Sequence, residues 1–284
     1  MLQKNQIKVG FIGFGEVAST LASGLIQEGV EVFTCLDGRS NRTIGLAESM
    51  EVETCKNYSE LSQNVDMVLS AVLPSQAVKV AREMGKINAV YVDLNNIAPS
   101  RVQDALNHVG TSNTVDAAIM GSIKNSGLNV KILASGGAAE QFAQLNQYGM
   151  NIEVIGSLPG QASAIKMLRS TYTKGVSALL LESLYAAYKM GVHEEVLKYL
   201  AETEGSGFKE SAVSRITSSA YHAKRRAEEM EEVVAMVSEE VEPVMSTATL
   251  EFFISLDHQL EKSSKRPGSM AQVFQMMERS KNDG

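Results

Sequence analysis

The chain has 284 residues, of which 44% are hydrophobic and 21% charged, a composition typical of a soluble globular protein with two ordinary domains. Its formal net charge of -7 argues against a nonspecific binder of nucleic acid or of anionic membranes, because such a surface needs an excess of basic residues. We expect a cytoplasmic protein, since we find neither a signal pattern nor an apolar stretch long enough to span a membrane.

Residues 7–37 have the pattern of a dinucleotide-binding βαβ unit. A short apolar strand leads into a G-x-G-x-x-A segment, in which glycines permit a tight turn and the close approach of a pyrophosphate. The helix that follows should direct its N-terminal amides and positive dipole at the phosphates. A second strand over residues 30–36 leads to an acid at the spacing that suits the adenosine ribose. The predicted cofactor-binding residues of this unit are Gly13, Phe14, Gly15, Glu16, Val17 and Asp37.

The choice between NAD and NADP depends on the residues around Asp37. Its carboxylate repels the additional phosphate of NADP, whereas Arg39, Ser40, Asn41 and Arg42 could bind that phosphate. The sequence leaves both cofactors open and slightly favours NAD.

Short apolar strands and helical stretches continue to alternate beyond this unit. The alternation is typical of an α/β domain whose parallel sheet is buried on both faces. One strand runs directly into Leu73 and Pro74, which are expected to form an apolar wall beside the cofactor. The predicted strands are 52–55, 66–72, 89–94, 114–120, 129–134 and 151–155.

The pattern changes after Pro159 and Gly160. Apolar residues keep a helical period over residues 162–190, which predicts one long helix. We therefore expect a Rossmann-type α/β domain over residues 1–160 and an all-α domain over residues 161–284, linked by this long interdomain helix. Further predicted elements are helices at 194–202, 208–237 with a break near Thr217, 244–260 and 270–279, and a frayed tail at 281–284.

The cysteines and histidines give no indication of a metal site. Cys35 and Cys55 fall in predicted strands and should be buried as small apolar residues. The four histidines are scattered, with no cysteine or carboxylate at ligand spacing. We predict no bound metal.

Four segments, taken in order along the chain, resemble the β-hydroxyacid dehydrogenase superfamily, which includes 3-hydroxyisobutyrate dehydrogenase and 6-phosphogluconate dehydrogenase. The segments are the fingerprint at 10–18, the turn at 92–99, the D-A-A-I-M-G-S segment at 116–122, and 160–166, which opens the long helix. The resemblance implies an NAD(P)-dependent dehydrogenase in which Lys166 is the general acid/base and Asn96 lies beside nicotinamide and substrate. It also implies a homodimer or higher homo-oligomer.

Two departures from the family pattern make the predicted substrate pocket atypical. Ser170 stands four residues after Lys166, where the family usually has an asparagine, and Met120 stands where a serine usually binds the substrate carboxylate. Together with Lys174 and the arginine-rich segment at 223–226, these changes resemble a poorly characterised branch with a distinct C-terminal helical domain.

Each of these site residues also has a structural interpretation. Lys166 can move the proton that accompanies a hydride only where burial lowers its pKa; alternatively, its side chain extends from an apolar helix face to water. Gly121 and Ser122 could hold a carboxylate through backbone amides, or belong to an ordinary loop. Asn96 could contact ligand, or cap the helix before Pro99.

The basic segment in the second half has two interpretations as well. Arg226 could bind an acidic substrate through both of its terminal nitrogens. Alternatively, Lys224 and Arg225 stand four residues before Glu228 and Glu229, as on a solvated helix face. The predicted substrate-binding residues are Gly121, Ser122, Ser170, Lys174 and Arg226.

These observations predict an NAD(P)-dependent oxidoreductase that interconverts a small hydroxy acid and its aldehyde or keto form. An imine reductase of similar architecture and a non-catalytic dinucleotide-binding regulatory protein are the alternatives. The expected partners are a small acidic substrate and a second copy of the chain, without nucleic acid or membrane.

Overall fold

The structure is a computed structural model that describes residues 7–50, 52–110, 112–260 and 265–282. The chain forms two compact units, of which the first ends at Lys166 and the second begins at Met167. This division falls inside the long helix, whereas the predicted domain boundary lies before residue 161.

Within the described residues, the first unit contains one eight-stranded sheet, and each predicted strand is present. The strands are β1 (Lys8–Ile12), β2 (Glu31–Cys35), β3 (Glu53–Cys55), β4 (Met67–Ser70), β5 (Val90–Asp93), β6 (Thr114–Ile119), β7 (Lys131–Ser135) and β8 (Asn151–Gly156). The helices of this unit are α1 (Glu16–Gln27), α2 (Asn41–Ser49), α3 (Tyr58–Asn64), α4 (Ala77–Met84), α5 (Pro99–Val109), α6 (Ile123–Ser126) and α7 (Ala139–Ala143).

The strand order is β3-β2-β1-β4-β5-β6-β7-β8, and neighbouring strands are parallel except for the antiparallel pair β6 and β7. Two apolar layers cover the two faces of the sheet. Phe11 and Leu69 belong to one layer, and Ile12 and Val68 belong to the other. The chain order reverses between β1 and β4, and ligands of open α/β sheets bind at the carboxyl ends of strands beside such a reversal.

Every regular element among the described residues of the second unit is a helix, as predicted. The long helix α8 (Gln161–Lys189) leads into α9 (His193–Glu204), α10 (Phe208–Tyr221), α11 (Ala223–Ser238), α12 (Val244–Gln259) and α13 (Met270–Asn282).

Two details of the helical prediction are wrong. The break predicted near Thr217 lies at His222, between α10 and α11. Thr217 lies inside α10, and its Oγ1 donates to the carbonyl oxygen of Val213 at 2.9 Å, a bond that threonine can form within a helix. The predicted frayed tail begins too early, since α13 continues to Asn282; residues 283–284 lie outside the described residues.

Cys35 and Cys55 are buried neighbours on β2 and β3 and are not disulfide-bonded, as expected for small apolar residues. Among the described residues, no group of three or more His, Cys, Asp or Glu side chains could hold a metal ion. None of the described helices is long and apolar enough to cross a membrane.

Candidate active site

One row of paired residues crosses the sheet and marks the edge of the candidate site. The chain segments that follow β1, β4 and β5 leave the sheet directly after this row, and the start of α8 is hydrogen-bonded to it through Asp116. The row therefore places the fingerprint loop, the loops after β4 and β5, and the beginning of the lysine-bearing helix at one edge. Its residues on six adjacent strands are Ile12, Ser70, Asp93, Asp116, Ser135 and Gly156.

The fingerprint loop requires glycine at its first position. Gly13 has a φ of +79°, and a Cβ atom there would lie 2.5 Å from the carbonyl oxygen of Ala71. At Gly15 an added Cβ would meet nothing within 4 Å, so this position leaves open space beside α1. Ala18, at the third fingerprint position, is fully buried. The three positions thus match the turn, close-approach and packing roles of the fingerprint.

The N-terminus of α1 is suited to bind a phosphate group. No side chain caps this end, and the first backbone hydrogen bond runs from Ser19 N to Gly15 O at 2.9 Å. The amides of residues 16–18 therefore have no acceptor within the helix. These amides and the dipole of a 12-residue helix can bind an anion.

Lys124 at this helix end was not anticipated from the sequence. Its Nζ lies 3.0 Å from Oε1 of Glu16, and both side chains are exposed. Lys124 and Glu16 are distant in sequence, and only the folded sheet brings α6 beside α1. No local sequence pattern identifies this pair.

At the end of β2, the structure holds Arg39 in place and leaves Asp37 exposed. Nη2 of Arg39 donates to the hydroxyl of Tyr58 at 2.6 Å, and its Nε is buried without a hydrogen-bond partner among the described residues. Burial raises the pKa of Tyr58, although the nearby guanidinium opposes this. Ser40 caps α2 by accepting from Thr43 N at 3.3 Å. The predicted phosphate-binding residues thus stand at the start of α2.

A buried polar network holds the ends of β4 and β5 together. The side chain of Asn95 donates to Ser70 Oγ at 3.2 Å and accepts from Val72 N at 2.8 Å. Its backbone amide donates to Oδ1 of Asp93 at 2.8 Å. Burial raises the pKa of Asp93 to about 7, although the hydrogen bonds from Asn95 oppose this. Sequence reasoning selected Asn96 and missed Asn95, which supplies the structural contacts.

The neighbouring predicted residues are exposed at the same edge. Asn96 does not cap α5, because that helix begins at Pro99 after Ala98, with no side-chain cap; the capping alternative is therefore wrong. Leu73 has 71% of its surface exposed, which is unusual for a large apolar side chain directly after a buried strand. Pro74 opens a 3₁₀ turn beside it.

Asp116 connects β6 to the start of α8. Its buried carboxylate accepts from the backbone amides of Gly160 and Ser163, both at 3.0 Å, and from Ser163 Oγ at 2.6 Å. Ser135 Oγ donates to the same carboxylate at 3.3 Å and accepts from Ala162 N at 3.2 Å. Burial raises the pKa of Asp116, and the hydrogen bonds from Ser163 oppose this. Two motifs that are distant in sequence therefore form one network.

Lys166 follows this anchored helix end by less than one turn and is half-buried. Gly121 and Ser122 are exposed in the turn between β6 and α6, and Ser122 does not cap α6 with its side chain. Because β6 is parallel to β5, this turn leaves the sheet at the same edge as Asn96.

The remaining predicted residues belong to the second unit. Lys174 is buried, donates a hydrogen bond to Ser170 Oγ and lies 2.9 Å from Oε2 of Glu229. Oε1 of Glu229 accepts from Arg225 Nε at 2.8 Å. Although burial favours a higher pKa for Glu229, Lys174 and Arg225 hold it below its ordinary value. Lys174 thus contacts Ser170 directly, and its ion pair with Glu229 was not suggested by the sequence.

Arg226 is half-buried, unlike the exposed Lys224 and Arg225 on which the solvated-face interpretation rests. Its guanidinium donates to Ser219 Oγ at 2.9 Å and to Ser218 Oγ at 3.2 Å, and lies 5.4 Å from the ring centroid of Phe253. Arg225, by contrast, is exposed and forms the expected pair with Glu229.

Comparisons with known proteins match both units. Residues 8–96 match the model of the family NADP oxidoreductase coenzyme F420-dependent, and residues 187–256 match a domain of unknown function, DUF1932. An uncharacterised 28.5 kDa protein of Methanothermus fervidus is 42% identical over 249 residues, which are 87% of this chain and 98% of that protein. A conserved protein of unknown function with structural similarity to 3-hydroxyacid dehydrogenases is 51% identical; the match covers 89% of this chain and 97% of that one, at a TM-score of 0.83.

More distant solved structures share the fold. A 3-hydroxyisobutyrate dehydrogenase of Mycobacterium tuberculosis is 14% identical over 96% of this chain and 99% of its own, at a TM-score of 0.71. An imine reductase of Pseudomonas sp. is 20% identical over 96% of this chain and 100% of its own, at a TM-score of 0.57. The chain therefore belongs to one family with the M. fervidus protein, a branch of the β-hydroxyacid dehydrogenase superfamily.

Proposed function

We propose that the protein is an NAD(P)-dependent oxidoreductase that interconverts a small hydroxy acid and its aldehyde or keto form. The row of paired residues from Ile12 to Gly156 supports this proposal. It brings a phosphate-binding loop, the network after β5 and the anchored start of the helix with Lys166 to one edge of the sheet. Chemistry between a bound dinucleotide and a small substrate needs these parts near one another.

The first unit has groups that fit a dinucleotide. The open space at Gly15 and the unpaired amides of α1 would hold the pyrophosphate, and Leu73 would contact the nicotinamide ring. When bound, the nicotinamide supplies the hydride acceptor or donor. We infer a preference for NADP, because Tyr58 holds the guanidinium of Arg39 beside the start of α2, where the additional phosphate would bind.

Lys166 would move the proton that accompanies the hydride. In the oxidation direction, the substrate C–H hydrogen leaves with its electron pair, the O–H bond breaks, and the amine of Lys166 takes the proton; reduction reverses these steps. Asp116 would position this lysine by holding the start of α8. Gly121 and Ser122 would bind the substrate carboxylate.

Turnover with a panel of short hydroxy acids, aldehydes and cyclic imines tests this proposal. Lys166→Met should lower kcat by about 10²- to 10⁴-fold and leave the Kd of the dinucleotide within about twofold. Lys189→Met is the matched control, because it removes an exposed lysine from the same helix and should change neither value. Unchanged turnover in Lys166→Met would exclude the lysine mechanism. Dinucleotide binding without turnover of any substrate would favour a regulatory protein.

Imine reduction is the second candidate, because Ser170 stands where the family usually has an asparagine amide. Turnover of imines, without turnover of any hydroxy acid or aldehyde in the panel, would establish it.

We also propose that α8 mediates a homodimer. Leu168, Tyr172 and Leu179 recur at the spacing of one helix face, and they are 55%, 71% and 62% exposed. An exposed apolar stripe on a helix about 44 Å long is typical of a protein interface. Tyr172→Glu should convert a dimer into a monomer in light scattering. A monomeric wild-type protein, or a variant of unchanged mass, would refute this proposal.

A further inference from the structure

The first turn of α11 carries positive charge at an unfavourable position. Lys224, Arg225 and Arg226 are consecutive there, and this turn contains no acidic residue. The amide groups at a helix N-terminus already carry partial positive charge, so cations in the first turn are repelled. Arg215 and Arg266 add further positive charge nearby, in a chain whose formal net charge is -7. The sequence breaks a local electrostatic rule here, which is typical of functional sites.

Two of these arginines are held by hydroxyl groups. Arg226 donates to Ser218 and Ser219, and Arg266 donates to Thr217 Oγ1 at 2.9 Å from Nη2 and 3.2 Å from Nε. Neither guanidinium has a carboxylate within 4.0 Å among the residues that the structure describes. Nη2 of Arg266 also donates to the carbonyl oxygen of Ser214 at 2.9 Å. These neutral acceptors orient the two guanidinium groups and leave their charges without a direct counter-ion.

The nearest acid does not balance the cluster. Glu229 acts electrostatically on Arg226, but its two carboxylate oxygens already contact Lys174 and Arg225. Burial lowers the pKa of Arg226 to about 10, and the neighbouring arginines shift it in the same direction. Burial also lowers the pKa of His222, and Arg225, Arg226 and Arg266 shift it in the same direction. Several arginines therefore add positive potential around Arg226 and His222.

We propose that the basic cluster, defined as Arg215, His222, Arg225, Arg226 and Arg266, binds a small molecule through a doubly charged oxyanion group, either a phosphate or a pair of carboxylates. Guanidinium groups bind such oxygen atoms through parallel hydrogen bonds, and the ligand would supply the missing negative charge. A small ligand fits better than nucleic acid or a membrane, because Arg226 is half-buried and the chain as a whole is acidic.

Calorimetric titration of the full chain with inorganic phosphate and, separately, with glutarate at low ionic strength tests this proposal. We expect saturable 1:1 binding of at least one of these probes, which also identifies the preferred group. Arg226→Gln and Arg266→Gln should each weaken it by about tenfold or more. Arg266 is exposed, so its variant should fold normally, as circular dichroism would verify.

Lys209→Gln is the matched control, because it removes one positive charge from an exposed position on α10 outside the cluster. It should leave anion binding within about twofold of wild type. Absence of saturable binding by either probe would overturn the proposal, as would equal weakening by Lys209→Gln. The titration measures binding and requires no turnover, so its result tests the anion site separately from the proposed oxidoreductase function.

Discussion

Replacing Asp116 with alanine should release the start of α8 from the sheet. The buried carboxylate accepts two backbone amides, from Gly160 and Ser163, both at 3.0 Å. A buried donor without a partner costs about 1–3 kcal/mol, so the loss of both acceptors should lower the free energy of unfolding by about 2–6 kcal/mol. Asp116→Asn keeps one acceptor oxygen but loses the charge and turns the other oxygen into a donor, so it should cost about half as much.

Urea denaturation of the wild type and the two variants measures this difference. Asp66→Ala is the matched control, because Asp66 also accepts a backbone amide, that of Lys8 at 2.9 Å, but at an exposed position. This control should lose no more than about 1 kcal/mol. Both Asp116 variants should lower kcat yet keep the dinucleotide Kd, because the fingerprint loop follows β1, which is not adjacent to β6. If Asp116→Ala is no less stable than Asp66→Ala, the network does not hold α8.

Gly13→Ala should lower both stability and dinucleotide affinity, because its Cβ would lie 2.5 Å from the oxygen of Ala71. Gly15→Ala should keep stability within about 0.5 kcal/mol yet weaken dinucleotide binding in calorimetry; unchanged binding would argue against a close approach there. Arg39→Ala should raise the KM for NADP by about tenfold or more and that for NAD by less than twofold, whereas equal effects would exclude a phosphate contact. Burial raises the pKa of Asp93 from 3.8 to about 7, so between these pH values the folded chain holds a proton that the unfolded chain has lost, and stability falls as pH rises. The free energy of unfolding of Asp93→Asn, measured by urea denaturation, should therefore rise by about 3 kcal/mol relative to that of wild type as the pH is raised from 5 to 8. A difference between the two proteins that does not change with pH would contradict this.

The strands and the cofactor loop could be predicted because their causes are local. β4 is a short apolar run that ends before Pro74, and the apolar layers on both faces of the sheet account for such runs. The spacing alone identifies Gly13 and Gly15, and the structure shows that glycine is suited to the two positions for different reasons. A side chain at Gly13 would clash with Ala71, whereas Gly15 leaves open space beside α1.

The contacts that build the site could not be predicted, because they depend on register between distant segments. Asp116 was recognised inside a substrate-like motif, but its partners Gly160 and Ser163 follow two intervening strands. Asn95 and Asn96 are adjacent polar residues, and only strand pairing determines which one is buried. Likewise, helical spacing alone does not distinguish the half-buried Arg226 from the exposed Arg225.

Asp93 and Asp116 are adjacent in register, and both are buried. Two neighbouring buried carboxylates oppose folding, because burial raises the pKa of each, and the charge of Asp116 raises that of Asp93 further. Their hydrogen bonds explain why this arrangement is retained: one carboxylate fixes the chain after β5, and the other fixes the start of the helix with Lys166. The cations on the first turn of α11 are a second unfavourable arrangement, and we explain it by an anion that binds there. Natural proteins accept such unfavourable charges where function depends on them. Stability and function should therefore change in opposite directions at Asp93, where Asp93→Asn should stabilise the fold at pH 8 and lower turnover.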